Sequence, residues 1–386
     1  MTVVWEPILD DAAAAWRAKA AGLAAAKFAP LAEELDREQR YPTEHIATLV
    51  ESGLSGMLVP VEHGGTGLSM EAICAVTEEV SAACASTGAI LAAHTLGAAP
   101  VRIAGTDEQR RELYADLVAG EAISFALTEV GAGSDAAAIR ATAVEGPDGF
   151  VLDGEKIYVG NGGVAKHYAV FAKTDPDAGA RGITAFLVSR ETPGIVIDRY
   201  EDKMGIRGTK TSNLKLAGVK VAASAMLGAP GGGLKLALQT LDIGRVSVAA
   251  QGTGIALAAF RLAAAEASRR TTFGKPLIEN QGISFRLADV ATELSAARLL
   301  TYEAARTYDR GQSVSTIGAM AKLYSSEVAH RAVDLAVQVY GGDGFCKPCP
   351  AERLYRDQRV LEIYEGASEI QRLVLGRAIA KEAAGS

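Results

Sequence analysis

The chain has 386 residues and a formal net charge of −7, long enough for more than one domain at roughly 100–200 residues each. Hydrophobic residues make up 49% and charged residues 22%, a balance typical of a globular protein with a sizeable core. The acidic surplus excludes the broad basic surface of a nucleic-acid-binding protein. An anionic small molecule stays possible as a ligand, because it needs only a few local cations.

The N-terminus does not predict a signal peptide, because Glu6, Asp10 and Asp11 precede the alanine run without a basic start. Nowhere do about 18 uncharged apolar residues follow one another, so no membrane span is predicted. We therefore expect a cytoplasmic protein with neither a membrane nor a nucleic acid as partner.

The first block, residues 1–120, is rich in alanine, leucine and glutamate and predicts a helical domain. Pro42 in Tyr41-Pro42-Thr43 marks the start of one helix, and 70–85 predicts another after the turn-rich stretch PVEHGGTGLS.

In the second block, residues 121–228, the period changes to that of strands separated by turn residues, which predicts a β domain. The five β-prone runs are FVLDGEKIYV, YAVFAKT, GITAFLVS, GIVIDRY and NLKLAGVKV.

The third block, residues 229–386, returns to helical periods. Apolar residues recur at steps of three or four from Val246 to Ala267, from Ile283 to Tyr308 and from Ile317 to Val339. Three helices of this length with short links predict an antiparallel bundle. The chain is therefore expected to be mainly α with a central β domain.

The cysteines do not predict a metal or redox site. Cys346 and Cys349 form a CxxC, but zinc needs a second ligand pair, and the five histidines are scattered without ligand spacing. A redox dithiol opens a helix, whereas Pro348 and Pro350 are expected to break one here. We interpret the segment as a plain loop, and no metal is expected.

Four segments carry candidate chemistry. FALTEVGAGSD (125–135) has Gly131 and Gly133, which allow close backbone approach to a ligand, although an ordinary glycine turn explains them equally well. RRTTFGKP (269–276) offers arginines that bind a pyrophosphate or merely complete a helix end. QVYGGDGF (338–345) is again glycine-rich, and no GxGxxG follows a strand, so a Rossmann site is not indicated.

The fourth segment is IYEGASEIQR (363–372). Glu365 precedes Gly366 at a turn, where a carboxylate can approach a substrate closely, and Ser368 is a candidate cap for the last helix. Taken alone, the segment is more typical of a surface glutamate beside a helix start.

The order of these segments in their helix, β, helix frame resembles the acyl-CoA dehydrogenase family along essentially the whole chain. LTEVGAGSD is similar to its first signature, and QVYGGDGF with PAERLYRDQRVLEIYEGASEIQRL to its second. The resemblance implies an N-terminal helical domain, a β-barrel-like middle domain and a C-terminal four-helix bundle. It also implies FAD between the β domain and the bundle, and a homodimer or homotetramer, because subunits of the family share the cofactor.

The resemblance assigns roles residue by residue. The residues implied to bind FAD are Phe125, Leu127, Thr128, Gly133, Ser134, Tyr158, Val159, Gly160, Ala367, Ser368 and Glu369, with Arg270, Phe273, Gln281, Gln338, Gly341 and Gly342 holding the adenine half in the neighbouring subunit. The residues implied to meet the acyl thioester are Ser134, Asp242, Arg245, Tyr340 and Gly366.

The implied reaction is the desaturation of a short acyl thioester, carried by CoA or by an acyl carrier protein. Glu365 removes the α-proton, the β-hydrogen leaves as hydride to flavin N5, and an electron-transfer flavoprotein accepts the electrons. The family has a second position for this base, which is Gly244 here, so Glu365 is the only candidate. A buried glutamate in an apolar pocket is expected to have a raised pKa.

Three departures from the family stand at the flavin contacts. Tyr158-Val159-Gly160 replaces Trp-Ile-Thr, Ala367 replaces threonine and Val130 replaces proline. We interpret them first as neutral changes in an α,β-desaturase. A displaced flavin would instead favour γ,δ-desaturation of an α,β-unsaturated thioester, and loss of catalysis would leave a flavin-binding interaction protein.

Overall fold

The N-terminal part of the computed structural model, which describes residues 3–385, is helical as predicted. Pro42 precedes the third helix, which begins at Thr43, and the helix expected over 70–85 ends at Ala83. The helices are α1 (Asp11–Leu23), α2 (Ala32–Glu38), α3 (Thr43–Ser52), α4 (Met70–Ala83), α5 (Ala85–Ala104) and α6 (Asp107–Val118).

The middle part is an eight-stranded sheet in the order β6-β7-β3-β2-β4-β5-β8, with β1 parallel to β4. The strands are β1 (Ile123–Ala126), β2 (Thr142–Gly146), β3 (Gly149–Gly160), β4 (His167–Lys173), β5 (Ile183–Ser189), β6 (Ile195–Tyr200), β7 (Thr211–Val221) and β8 (Met226–Leu227). All five β-prone runs are strands. The short strands β1, β2 and β8 were not predicted, because pairing with a neighbouring strand rather than their own pattern holds them.

The C-terminal part contains the three predicted long helices. They are followed by shorter ones, and a two-stranded hairpin joins the first two. The elements are α7 (Gly233–Arg269), β9 (Thr271–Thr272), β10 (Lys275–Pro276), α8 (Gln281–Asp309), α9 (Ser315–Tyr340), α10 (Gly342–Phe345), α11 (Pro350–Gln358) and α12 (Ser368–Gly385). Helices α7, α8 and α9 pack against one another, and α12 lies along α9. The predicted fold class is confirmed.

Helix α7 is the centre of the molecule. It packs against α8 and α9 on one side and against α4 and α5 of the N-terminal part on the other. It is the one helix among residues 3–385 that is long and apolar enough to cross a membrane, but 78% of its most apolar stretch is buried inside the fold. Its apolar character is therefore that of a core helix.

Candidate active site

Glu365 lies on a sharp turn between the 3₁₀ turn Arg359–Glu362 and α12. Its backbone is left-handed with φ of 52°, and Gly366 follows with φ of 92°. A left-handed non-glycine residue persists where surrounding contacts hold it, and such residues cluster at functional sites. Here the Gly366 carbonyl accepts hydrogen bonds from Lys322 Nζ at 2.7 Å and from Gln371 Nε2 at 2.8 Å.

The Glu365 carboxylate has one oxygen that its surroundings leave without a polar partner. Its Oε2 atom is buried and has no hydrogen-bond partner among residues 3–385. Burial raises the pKa of Glu365 to about 7, and the nearby charges of Lys322 and Arg245 act in the opposite direction. A carboxyl group with this pKa is part ionised at neutral pH, which suits it to accept a proton.

Gly244 on α7 explains why the carboxylate can take this position. A Cβ added at Gly244 would lie 2.2 Å from Glu365 Oε2 and 2.8 Å from Leu96 Cδ1. Any side chain there would therefore displace the carboxylate. The two positions that the family resemblance gives for the base therefore lie side by side, and of the two only Glu365 has a carboxylate in this chain.

The predicted substrate residues Asp242 and Arg245 lie one turn apart on α7, beside Gly244. Arg245 Nη1 donates to Asp242 Oδ1 at 2.5 Å, and Arg245 is buried with its Nε unpartnered among residues 3–385. Burial raises the pKa of Asp242, and Arg245 opposes that effect. Of the other predicted substrate residues, Gly366 belongs to the Glu365 turn, whereas Ser134 and Tyr340 lie elsewhere.

The predicted flavin segments of the β domain are neighbours in space. The amide of Ile157 donates to the carbonyl of Thr128 at 2.9 Å, which joins the LTEVGAGSD loop to β3. Phe125 packs on Phe171 beneath this loop. Beside it, Tyr158 stands at an irregularity of β3 with φ of 55° and donates its amide to Asn213 Oδ1 at 3.1 Å.

A surface suited to a large flat ligand remains along these segments. Tyr158 is 63% exposed, and among residues 3–385 no atom beyond the chain neighbours lies within 4 Å of the Cβ position of Gly131 or Gly133, both of which are exposed. Leu127 and Val159 are buried behind them, and Ser134 is exposed at the end of the loop. Open glycines beside an exposed aromatic ring fit a dinucleotide approaching the backbone closely.

The predicted adenine-binding residues form a second group. Arg270 Nη1 donates to the Tyr340 carbonyl at 2.9 Å and lies 3.3 Å from the Cβ position of Gly341. Phe273 on the adjoining hairpin is 99% exposed, and Gln281, Gln338 and Gly342 are exposed too. Within residues 3–385 no hydrogen bond joins this group to the Glu365 turn.

Two local predictions are wrong. Ser368 does not cap α12 but is its first residue, and its buried hydroxyl has no partner among residues 3–385. Pro350 does not break a helix but begins α11, because the first turn of a helix tolerates proline. Cys346 and Cys349, both free, therefore stand directly before a helix.

Sequence reasoning missed Lys322 and Gln371, which are both fully buried and donate to the Gly366 carbonyl in the Glu365 turn. Lys322 belongs to a stripe of small buried residues on α9 with Gly318, Ser325 and Ala329. A lysine in such a stripe is the signal that would have found it, because lysine is almost never fully buried without a partner.

The histidine spacing also missed one cluster, Glu112, Asp116 and His167, whose ligand atoms lie within 4.8 Å of one another. Asp116 already accepts hydrogen bonds from Lys166 at 2.7 Å and His167 at 2.6 Å. The cluster is an ion-paired contact between α6 and β4.

The residues present fit an FAD cofactor. Buried orphan oxygens on Ser368 and Glu365, the open glycines of the LTEVGAGSD loop and exposed Tyr158 supply polar and flat surfaces of the required kinds. Ala367 and Glu369 flank Ser368 on the same turn, half-buried and exposed respectively.

Comparisons with known proteins agree with this geometry. Residues 10–121, 124–219 and 231–380 match the family models for the N-terminal, middle and C-terminal domains of acyl-CoA dehydrogenase. The short-chain specific acyl-CoA dehydrogenase of Bos taurus mitochondria is 44% identical over 90% of this chain and 84% of its own length.

Two solved structures are similar throughout. Butyryl-CoA dehydrogenase from Megasphaera elsdenii has a TM-score of 0.94 and 38% identity, covering 97% of this chain and 100% of its own. A chain from a study of the electron transferring flavoprotein of Acidaminococcus fermentans has a TM-score of 0.95 and 37% identity, covering 97% and 99%. With all three domain models matched in order, the chain belongs to the acyl-CoA dehydrogenase family of FAD-dependent oxidoreductases.

Proposed function

We propose that this enzyme desaturates a short acyl thioester between its α and β carbons, with Glu365 as the base. One observation carries the proposal. The Glu365 carboxylate has a buried oxygen without a partner among residues 3–385 and a pKa of about 7. A structural carboxylate would be hydrogen-bonded, whereas a base must be free to receive a proton.

The residues divide the work as follows. Glu365 accepts the α-proton, and, as the resemblance to the family implies, its own N–H donates to the thioester oxygen and so stabilises the enolate. The apolar side chain of Leu96 beside the carboxylate excludes water and so preserves the raised pKa. FAD, held by the LTEVGAGSD loop, Tyr158-Val159-Gly160 and the 367–369 turn, supplies the acceptor for the β-hydrogen when bound.

The finer assignments belong to this proposal. Tyr158 restricts the acyl chain to a short one, Asp242 and Arg245 bind near the thioester, and the carrier is CoA or an acyl carrier protein. We expect an electron-transfer flavoprotein as acceptor, a homodimer or homotetramer that shares FAD through Arg270, and a cytoplasmic location. The domain boundaries at 120/121 and 228/229 stay a prediction.

The test is anaerobic flavin reduction by a panel of saturated and 2-unsaturated thioesters of increasing length, with products identified by mass. Saturated short-chain thioesters should bleach the flavin and give 2-enoyl products. Bound FAD that no acyl thioester reduces would contradict the proposal and favour an interaction protein.

A second candidate, γ,δ-desaturation of an α,β-unsaturated thioester, is supported by the space at Gly160. A Cβ there would meet only Ala93 Cβ at 3.9 Å, so the position is open where relatives carry a hydroxyl. With Ala367 also lacking a hydroxyl, the ring system is free to sit differently. The γ-proton of such a thioester is acidic because the enolate extends through the double bond.

The double variant Gly160→Thr with Ala367→Thr separates the two candidates. Gly160 ends strand β3 without a positive φ, so threonine is compatible with its backbone. If a shifted flavin sets the reaction, the variant should move activity from 2-unsaturated toward saturated substrates. Efficient α,β-desaturation by the wild type, with only a loss in the variant, would rule the second candidate out.

A further inference from the structure

Lys322 is the least expected group near the base. It comes from α9, is fully buried, and donates from Nζ to the Gly366 carbonyl at 2.7 Å. Burying an ammonium group costs several kcal/mol unless it is paired. A hydrogen bond to the Gly366 carbonyl alone does not explain why a charged side chain is buried here, because the neutral amide of Gln371 donates to the same carbonyl at 2.8 Å.

The charge of Lys322 reaches the base. Lys322 and Arg245 are the two cations that lower the pKa of Glu365 against the effect of its burial. Burial lowers the pKa of Lys322 to about 8, and Glu365 is the first of the charges that oppose this. Lys322 therefore carries its charge in the pH range where Glu365 must lose its proton.

From this geometry we propose that Lys322 is a positioning residue that holds the Glu365–Gly366 turn and places a positive charge beneath the base, so that the carboxylate is ionised at working pH. The inference rests on the proposed role of Glu365 as the base. Lys322 touches neither substrate nor cofactor in this role; it acts through Glu365.

The charged groups around the pair come from three directions. Arg245 on α7 faces both Glu365 and Lys322, and Glu362 and Glu369 on either side of the turn face Lys322. Arg245 is already hydrogen-bonded to Asp242, so its charge is partly neutralised. Lys322 is the cation without a carboxylate hydrogen bond among residues 3–385, and its removal is the sharper perturbation.

Gln371 offers a matched control. Lys322→Met and Gln371→Met each remove one donor from the same Gly366 carbonyl, and both side chains are fully buried. Only Lys322→Met removes a charge. Removing a nearby positive charge raises a carboxyl pKa by about one unit or more, so the pH midpoint of the reductive half-reaction should rise by about one unit in Lys322→Met and stay near wild type in Gln371→Met.

The experiment uses the FAD-loaded enzyme, with flavin content and melting temperature measured for each variant. The pH dependence of flavin reduction by a short acyl-CoA gives one midpoint. The carboxyl C=O stretch in pH-difference infrared spectra, assigned with Glu365→Gln, gives the Glu365 pKa without substrate. Lys322→Arg, which keeps the charge, should return both values toward wild type.

Two outcomes overturn the inference. One is a Glu365 titration in Lys322→Met that coincides with wild type; the other is an equal shift in Gln371→Met, which would assign the effect to the carbonyl alone. An infrared shift in Lys322→Met without flavin reduction by any thioester would uphold the inference while the proposed function fails.

Discussion

Two glutamates in this molecule each have a carboxylate near a fully buried lysine, yet the surroundings of the two carboxylates are opposite. Glu129, in the LTEVGAGSD loop, accepts hydrogen bonds from Lys156 Nζ and from the backbone amides of Arg140 and Ala141. Glu365 has an oxygen with no partner among residues 3–385. Burial lowers the pKa of both lysines, Lys156 and Lys322, to about 8.

The difference separates a structural carboxylate from the proposed base. Lys156 also donates to the Leu127 carbonyl at 3.2 Å, so the Glu129 pair ties strand β3 to the loop on the flavin side. Lys322 donates its hydrogen bond to the Gly366 carbonyl and acts on Glu365 only through the electrostatic effect of its charge. A satisfied buried carboxylate holds a loop in place, whereas an unsatisfied one retains the capacity to take up a proton.

The largest expected effect is on the rate of flavin reduction when the proposed base is replaced. Glu365→Gln should leave FAD bound and the fold intact, yet lower the rate of substrate-dependent flavin reduction by about 10²–10⁴-fold or more, since that is the usual contribution of a general base. Stopped-flow absorbance under anaerobic conditions measures it. Near wild-type reduction in this variant would remove Glu365 from the mechanism.

The next largest effect is on the stability of the fold when Lys156 is removed from its pair with Glu129. Lys156→Met leaves the Glu129 charge buried without its ionic partner, which should lower the free energy of unfolding by about 3–5 kcal/mol. Lys322→Met should cost less, because Glu365 can take up a proton at neutral pH instead. Urea denaturation of both variants at pH 7 compares them. If both variants lost the same free energy of unfolding, the Glu129–Lys156 and Glu365–Lys322 pairs would not differ as argued.

A smaller effect concerns stability against pH. The pKa of Glu365 is 4.5 when the side chain is exposed and about 7 in the fold. Its ionisation therefore begins to destabilise the folded state above pH 4.5, and this destabilisation reaches its full size above about pH 7. Glu365→Gln should therefore match wild type below pH 4.5 and gain up to about 3 kcal/mol at pH 8, at 1.36 kcal/mol per unit. Melting temperatures across this range test it, and a constant difference would contradict it.

The smallest expected effect is on FAD binding and oligomer stability when Arg270 is truncated. Arg270, which also donates to a backbone carbonyl, is only half-buried. Arg270→Ala should weaken FAD binding and loosen the oligomer together, at a cost of about 1.5–3 kcal/mol for a charged hydrogen-bond partner. Flavin content and light scattering report both, and no change in either would exclude a shared cofactor at this residue.

Local pattern was sufficient for much of the fold. The five β-prone runs and the three long helices each bury one face or run through the core, so their hydrophobic periods predict them. Glu365 was predicted in a different way, from the resemblance of its segment to a family motif. Strand β1 was missed, since its four residues are held by parallel pairing with β4.

The sequence by itself determined the order of the blocks and the motifs, and it predicted Glu365 as the base. Only the tertiary structure decided which carboxylate is satisfied by hydrogen bonds, as Glu129 is, and which has an oxygen without a partner among residues 3–385, as Glu365 has. Lys156 meets Glu129 across 27 residues of chain, and Lys322 reaches Gly366 across 44. Hydrogen-bond satisfaction and desolvation depend on such distant neighbours, and they set the pKa values that distinguish Glu365 from other glutamates of this chain.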